Sequence, residues 1–276
     1  MTASSNPTKK ITSGTKEWAD YNVNCILGCY NDCKYCYAKV MAKRFGRADE
    51  NTWKNMRIRE DVLAKKNFRS KGRIMFPSTH DLFDIPEYRE ACFLTLSKLL
   101  RNYNRVLITT KPRFNIIRDI DKLFSEYKES IQFRFSISSC NDKLLRYWEP
   151  NAPDFSERLK ALKFAFRRNY KTSVSIEPFL DKDPHKLISI VMPFSSESVW
   201  IGKMNYISNQ NKRAYLNIRK NYSNENLQSI YYKYRSVPKI RFKDSILLKI
   251  DRNQTDLSGG KFPIRSREEL LDFSNA

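Results

Sequence analysis

The sequence predicts an α/β fold in which helices cover a parallel sheet, arranged either as a barrel or as an open doubly wound sheet. Two observations predict it. Short runs rich in Val, Ile, Phe and Tyr alternate with amphipathic stretches over most of the chain. Polar residues follow these runs at the points where they end. Because the carboxyl ends of parallel strands meet at one edge of a sheet, we expect these polar residues to share one site.

The predicted core contains six strands with five helices between them. The strands are predicted at Tyr21–Leu27, Arg73–Pro77, Arg105–Thr110, Gln132–Ser138, Thr172–Pro178 and Val199–Lys203. The helices are predicted at Ala38–Phe45, Glu87–Arg101, Arg113–Glu126, Phe155–Arg168 and Pro184–Val191.

The pattern loosens after Tyr206. A polar connection or helix is followed by a helix near Leu227–Arg235 and by strand-like runs at Lys239–Phe242 and Ser245–Ile250. We therefore expect an N-terminal tail (1–19), a core (20–206) and a C-terminal extension (207–276) that completes or caps the barrel.

Length and composition limit the class of protein. With 276 residues and 41% hydrophobic content, the chain can form one large domain or two small ones with a real core. No run of about 18 apolar residues occurs, and the first ten residues lack the apolar segment of a signal peptide. We therefore expect a cytoplasmic protein without a membrane partner.

The net charge of +21 indicates a partner that carries phosphate, either a nucleic acid or a phosphorylated small molecule. A composition bias that only solvates the surface is the alternative. The chain has seven glycines and contains neither a Walker-type loop nor a G-x-G-x-x-G motif, so the usual nucleotide-binding signatures are absent.

Cys29, Cys33 and Cys36 form a C-x3-C-x2-C pattern, and Cys25 lies four positions before it. Six cysteines are too few for a disulfide scaffold in a chain of this length, and clustered thiols in a reducing compartment more often bind metal. Three thiolates on a [4Fe–4S] cluster would leave one iron open to a cofactor or substrate. Zinc with Cys25 as a fourth ligand is one alternative. A nucleophilic cysteine is another, although only two histidines are available as its base.

These motifs resemble the spore photoproduct lyase-like branch of the radical S-adenosylmethionine (SAM) superfamily, over about residues 22–181. GCYNDCKYCYA resembles the GC-x3-C-x-YCY motif of that branch, and IMFPSTHDLFD resembles its second-strand stretch. VLITTKP is similar to the third-strand TK, and FRFSIS with WEPNAPDFSERLKAL is similar to the fourth-strand region; SVSIEPFLD matches less sharply. The resemblance implies a partial (β/α)6 TIM-like barrel with a C-terminal extension.

By this resemblance the three cysteines ligate a [4Fe–4S] cluster, and SAM chelates the open iron. The residues implied to bind SAM are Tyr35, Ser78, Thr79, Asp81, Lys111 and Ser136. Lys111 is expected to pair with the methionine carboxylate of SAM. Tyr37 and Glu177 are the candidate catalytic residues. Core packing, helix capping and structural salt bridges are the alternative roles of these side chains.

The implied reaction begins when an electron, delivered by a donor such as flavodoxin or ferredoxin, breaks the C5′–S bond of SAM. The resulting 5′-deoxyadenosyl radical then takes hydrogen from a nucleoside, nucleotide or nucleic-acid substrate in a lyase or modification reaction. The alternatives are a queuosine-type nucleoside lyase that releases the free base, and a non-catalytic zinc or iron–sulfur protein that binds nucleic acid. Spore photoproduct lyase has a hydrogen-donating cysteine where this sequence has Ser78, so we expect a different substrate.

Overall fold

The structure is a computed structural model that describes residues 14–250 except 67 and 71. Its strands are β1 (Tyr21–Asn22), β2 (Ile26–Leu27), β3 (Arg57–Ile58), β4 (Arg73–Phe76), β5 (Arg105–Thr110), β6 (Ile131–Ser136), β7 (Lys171–Ile176), β8 (Ser198–Ile201) and β9 (Ile240–Phe242).

The helices of the described residues lie mainly between these strands. They are α1 (Tyr37–Arg44), α2 (Glu60–Leu63), α3 (Pro86–Arg101), α4 (Phe114–Phe124), α5 (Asp142–Trp148), α6 (Phe155–Arg167), α7 (His185–Val191), α8 (Arg213–Asn221) and α9 (Asn224–Tyr234). Residues 244–250 are also helical. Within the described range, no helix is long and apolar enough to cross a lipid bilayer.

Seven strands form one parallel sheet in the order β1-β4-β5-β6-β7-β8-β9. Helices connect the successive strands from β4 to β9, as parallel pairing requires. Because β1 and β9 lie at opposite edges of the sheet, the barrel is partial, and the predicted α/β fold class is confirmed. β9 belongs to the predicted C-terminal extension and pairs with β8. The domain boundaries stay a prediction.

Two sequence predictions are wrong in detail. The strand predicted at Tyr21–Leu27 is divided into β1, in the parallel sheet, and β2, which pairs antiparallel with β3. The chain leaves the sheet between them, where the Cys25 carbonyl accepts a hydrogen bond of 2.8 Å from the N–H of Arg59. The strand predicted at Ser245–Ile250 is helical. Ile246 and Ile250 lie four residues apart and are both buried, which places them on one face of a helix.

The two faces of the parallel sheet differ in polarity. On one face Thr109, Arg134 and Ser173 lie side by side on β5, β6 and β7. Ser136 and Ser175 form the next pair on that face, towards the carboxyl ends of the strands. The opposite face carries the alternate residues, and these are almost all apolar.

Helices α3, α4 and α6 cover the apolar face. Their buried residues and the apolar residues of β5 to β8 belong to one hydrophobic core, in which Phe133 and Phe135 of β6 stack at 5.3 Å. Burial of such side chains contributes about 1.5–3 kcal/mol each. Since this side holds the core, the polar face is left to line the interior of the partial barrel.

The N-terminal segment reaches across the polar face to the far edge of the sheet. The Nζ atom of Lys243, just after β9, donates to the Gly14 carbonyl at 2.9 Å and pairs with Glu17 at 2.8 Å. The ring of Trp18 lies under the Arg134 guanidinium at 4.5 Å and contacts Trp200 at 5.8 Å. These contacts cover the polar face near Arg134. Ser136, one step nearer the carboxyl ends, stays partly exposed.

Candidate active site

The three cysteines of the C-x3-C-x2-C pattern lie in the loop between β2 and α1. Cys29 and Cys33 are buried, and Cys36, the N-cap residue of α1, is half-buried. The N–H of Asp32 donates to the Cys29 carbonyl, and the N–H of Cys36 donates to the Cys33 carbonyl, both at 3.2 Å. These bonds fold the loop into tight turns. We call residues 28–36 the cysteine loop.

The three thiols act on one another electrostatically. Burial raises the pKa of Cys33 to about 12, although the positive charge of Lys111 opposes this rise. Burial, the charge of Asp81 and the other two thiols also raise the pKa of Cys29. Burial raises the pKa of Cys36, while backbone N–H groups in the first turn of α1 act in the opposite direction. As thiolates these groups would repel one another, so they need a cationic partner.

This set of donors fits an iron–sulfur cluster. Cysteine thiolates are the usual ligands of such clusters, and the three thiols lie within electrostatic range of one another. Among the residues that the structure describes, no group of three or more His, Cys, Asp or Glu side chains could hold a single metal ion. An iron–sulfur cluster does not require its ligands to converge on one ion, because each thiolate binds a separate iron.

Gly28 allows the cysteine loop to pass close to residues 53–56. It has a φ of +93°, and a Cβ atom there would lie 2.5 Å from the carbonyl oxygen of Trp53. The same carbonyl accepts a hydrogen bond of 3.0 Å from the N–H of Cys29. The close approach and the positive φ both favour glycine at this position.

Gly28→Ala is expected to lower the free energy of unfolding by about 3 kcal/mol and to reduce the iron bound by the protein. Gly46→Ala is the matched control, since Gly46 has a φ of +63° with no atom near its missing Cβ. It is expected to cost about 1 kcal/mol and to leave iron binding intact. Thermal unfolding and iron analysis after anaerobic reconstitution measure both effects. Equal losses in the two variants would show that the close approach is unimportant.

Cys25 makes its contacts away from the cysteine loop. Its buried Sγ atom lies 3.7 Å from Sγ of Cys92 and 3.9 Å from Nε2 of His80. Nδ1 of His80 lies 2.9 Å from the Asp81 carbonyl oxygen, which can only accept, so Nδ1 carries the hydrogen and Nε2 can accept one from Cys25. This environment favours a packing role for Cys25 over a fourth cluster ligand.

Asn24 holds the loop that follows β4. Its side-chain oxygen accepts from the N–H groups of Ser78 at 2.7 Å and Thr79 at 2.9 Å, and its amide donates to the Ser78 hydroxyl at 3.0 Å. The Tyr37 hydroxyl donates to the Ser78 carbonyl at 2.6 Å. Tyr37 is 40% exposed, so part of its ring faces solvent. The loop is thereby fixed against the start of α1, immediately after the last cysteine.

Asp81 connects the same loop to its neighbours. Its buried carboxylate accepts from the Asn31 amide at 2.5 Å, the Leu82 N–H at 2.8 Å and the Lys111 N–H at 3.1 Å, and from the Thr110 hydroxyl. All four donors belong to the protein. The geometry therefore assigns Asp81 a bracing role, and its predicted contact with SAM stays a prediction.

Lys111 lies at the end of β5, close to the cysteine loop. Its ammonium is 5.6 Å from the ring centre of Tyr35 and 4.0 Å from Oε1 of Glu149. Burial lowers the pKa of Lys111, but electrostatic interactions with Cys33, Tyr35 and Glu149 outweigh burial and raise the pKa overall. The side chain is 15% exposed, so it is largely buried beside the cysteine loop and keeps a small contact with solvent.

Tyr35 and Ser136 differ in what their hydroxyls can do. The Tyr35 hydroxyl donates to Glu149 and lies 3.3 Å from the Ser138 hydroxyl. Any contact of Tyr35 with a cofactor would therefore use its ring. Ser136 lies on the polar face opposite Ser175 and is partly exposed. The predicted roles of both residues in cofactor binding stay predictions.

Glu177 follows β7 and lies further along the sheet from the cysteine loop. Its side chain packs over Gly202, where a Cβ atom would come within 2.7 Å of Glu177 Cγ, and its carboxylate is 3.9 Å from Lys243 Nζ. Burial raises the pKa of Glu177, against the charge of Lys243. The pKa of Tyr37 is raised mainly by burial and also by the charge of Glu177, so the two candidate catalytic residues are within electrostatic range.

The sequence assigned no chemistry to Glu149, which the structure places at the centre of a buried polar network. Its carboxylate pairs with Arg158 at 2.5 Å and accepts from the Ser138 hydroxyl at 2.7 Å. One feature of the sequence could have identified it, because Glu149 places a charge directly after two aromatic residues, Tyr147 and Trp148. Such a residue is rarely buried unless it is paired.

Comparisons with known proteins agree with the cysteine pattern. Residues 23–185, more than half of the chain, match the sequence profile of the radical SAM superfamily. An uncharacterised protein of Methanocaldococcus jannaschii is 30% identical over 196 residues, which cover 68% of this chain and 72% of the relative. An uncharacterised open-reading-frame product of Acidianus two-tailed virus is 30% identical over 181 residues, covering 62% and 57%.

The fold has a counterpart among solved structures. A point variant of spore photoproduct lyase with dinucleoside spore photoproduct superposes with a TM-score of 0.52 at 20% identity, covering 79% of this chain. The chain spans 64% of that lyase chain and 57% of the viral relative. The chain therefore belongs to the radical SAM superfamily, whose members use a [4Fe–4S] cluster and SAM, and its fold is similar to that of spore photoproduct lyase.

Proposed function

We propose that this radical SAM enzyme cleaves SAM reductively and takes a hydrogen atom from a nucleoside, nucleotide or nucleic-acid substrate, in a lyase or modification reaction. One observation carries the proposal: three clustered thiols lie within electrostatic range of the Lys111 ammonium, at the carboxyl end of β5. When bound, the cluster and SAM supply the electron and the sulfonium whose C5′–S bond breaks to give methionine and the 5′-deoxyadenosyl radical.

The chain supplies binding and orientation. Cys29, Cys33 and Cys36 hold the cluster, and Lys111 donates from its ammonium to the methionine carboxylate. Since Glu149 is committed to Arg158, Lys111 keeps its donors for a ligand. We further propose that Ser136, Ser78, Thr79 and the ring of Tyr35 surround the rest of SAM, and that Tyr37 and Glu177 face the substrate. The bracing of the Ser78 loop by Asn24 supports this arrangement.

Two observations support a substrate of the nucleic-acid class. The polar face carries hydroxyl side chains towards the carboxyl ends of the strands, and Ser136 among them is partly exposed, where a purely structural sheet would be apolar. The net charge of +21 attracts polyanions to the protein. The spore photoproduct lyase of similar fold was solved with a dinucleoside, which makes this class a reasonable first choice for assay. An acidic donor such as flavodoxin or ferredoxin would supply the electron.

Anaerobic reconstitution tests the proposal. The protein is expected to bind about four irons per chain and to convert SAM to 5′-deoxyadenosine under dithionite. Candidate substrates labelled with deuterium, from free nucleosides to DNA and RNA, would then be screened for transfer of the label into 5′-deoxyadenosine. A colourless zinc protein that leaves SAM intact would instead support a non-catalytic nucleic-acid-binding protein. SAM cleavage with label transfer only from other substrate classes would overturn the substrate assignment alone.

A further inference from the structure

A buried charge network lies directly behind the cysteine loop. Glu149 follows α5, and its carboxylate is completely buried. Oε2 pairs with Nη2 of Arg158 at 2.5 Å, and Oε1 accepts from the hydroxyls of Ser138, at 2.7 Å, and Tyr35. Burial alone would raise the pKa of Glu149, but the cations and these hydrogen bonds hold it below its usual value. The network is therefore ionised at neutral pH.

Two hydrogen bonds join the cysteine loop to Glu149 and to the residue before it. Tyr35, which donates to Glu149, lies between the second and third cysteines of the motif. The N–H of Lys34 donates to the Trp148 carbonyl at 2.9 Å, one residue before Glu149. Because both residues lie between Cys33 and Cys36, any shift of Glu149 is transmitted to the loop that carries the thiols.

The charges of the network do not cancel. Two cations, the fully buried Arg158 and the largely buried Lys111, face one carboxylate, so these three side chains carry a net charge of about +1. The carboxylate interacts more closely with Arg158, at 2.5 Å, than with Lys111, at 4.0 Å. Arg158 is anchored by further bonds, from Nε to the Pro153 carbonyl at 2.8 Å and from Nη1 to the Ser136 carbonyl at 3.4 Å. Glu149 and Arg158 thus form a fixed pair, and Lys111 provides the excess charge.

We infer that Glu149, through its pair with Arg158, is a positioning residue that holds the cysteine loop and fixes the net charge of this network, beside the cluster, at about +1. This inference rests on the proposed function for the cluster itself. Reduction adds one negative charge to the cluster, and nearby cations stabilise the reduced form, so net charge is one of the factors that set its reduction potential. Changing either member of the pair therefore changes the potential, in opposite directions.

The test measures the midpoint potential of the reconstituted cluster in a redox titration followed by electron paramagnetic resonance, without SAM. Glu149→Gln leaves two cations unopposed and is expected to move the potential to more positive values. Arg158→Gln leaves Glu149 balanced only by Lys111 and is expected to move it to more negative values. The double variant restores one excess cation and is expected to return close to the unmodified protein. A residue that served only for packing would not produce opposite signs or their cancellation.

Asp121→Asn is the matched control. Asp121 also pairs with an arginine, Arg168 at 2.9 Å, but lies on α4, on the covered side of the sheet. It is expected to leave the potential unchanged. If Arg158→Gln is not recovered in folded form, Glu149→Asp replaces it in the test. Glu149→Asp keeps the negative charge, so its midpoint potential is expected to stay near that of the unmodified protein, whereas the potential of Glu149→Gln shifts.

Single variants that shift the potential in the same direction, or no more than Asp121→Asn, would overturn the inference. For the replacement pair, equal shifts in Glu149→Asp and Glu149→Gln would do so. The proposed function fails separately: in that case the unmodified protein itself binds no cluster and leaves SAM intact.

Discussion

Cys33→Ala is expected to abolish the cluster and reduce SAM cleavage to background. Cys33 is the central thiol of the motif and is buried. It lies within electrostatic range of Cys36, of Lys111 and of the Glu149–Arg158 pair. With only two thiolates left, the cluster lacks a third anchor. Iron and sulfide analysis, visible absorption and 5′-deoxyadenosine formation under dithionite measure the effect.

Cys25→Ala is the control, because it also removes a buried thiol from the same segment of chain. Its Sγ contacts Cys92 and His80, so its loss creates a small cavity costing about 1 kcal/mol and leaves the cluster ligands untouched. Iron content and SAM cleavage are expected to stay near those of the unmodified protein. Full iron binding by Cys33→Ala, or its loss in Cys25→Ala, would show that the ligand set has been assigned incorrectly.

The strand ends were predictable because their signals are local. β5 has the predicted bounds, Arg105–Thr110, and Lys111 follows it as expected. β6 and β7 begin one residue before their predicted starts and end two residues before their predicted ends. Parallel pairing then brings the residues that follow these strands to one edge, which is why a site could be placed from a one-dimensional pattern.

The difference in polarity between the two sheet faces is also visible in the sequence as an alternation of polar and apolar residues. In FRFS the phenylalanines alternate with Arg134 and Ser136, and in SVSI the serines alternate with Val174 and Ile176. A parallel sheet covered by helices on both faces would read as a continuous apolar run. This alternation favours a barrel with a polar interior over an open doubly wound sheet.

Long-range partners could not be predicted in the same way. Lys243 contacts Gly14, which lies 229 positions away in the sequence. This contact forms only because the N-terminal segment crosses the sheet to the edge that carries Lys243. Glu149 depends on Arg158 and on Tyr35, which lies 114 positions away. The helix at 244–250 was predicted as a strand because the run is short: Ile246, Leu248 and Ile250 have the spacing of a strand, while Ile246 and Ile250 also fit one face of a helix.

Lys111→Met is expected to weaken SAM binding by about tenfold to a hundredfold while iron content stays unchanged. The expected loss is that of one charge-assisted hydrogen bond, about 1.5–3 kcal/mol. Methionine fills a similar volume, and the Glu149–Arg158 pair at 2.5 Å remains intact, so the fold should tolerate the change. Equilibrium binding of SAM to the anaerobically reconstituted, unreduced protein measures the effect.

Decarboxylated SAM provides the decisive control, since it lacks only the group that Lys111 is proposed to bind. The unmodified protein is expected to bind this analogue more weakly than SAM, because the carboxylate also chelates the iron. In Lys111→Met this difference is expected to shrink by about tenfold to a hundredfold, because the part of it that comes from the ammonium has already been lost. Lys111→Arg keeps the charge and should keep part of the preference for SAM. The contrary outcome is that Lys111→Met weakens the binding of SAM and of its analogue to the same extent. The ammonium would then act on the cysteine loop or on the Glu149 network, and another side chain would bind the carboxylate of SAM.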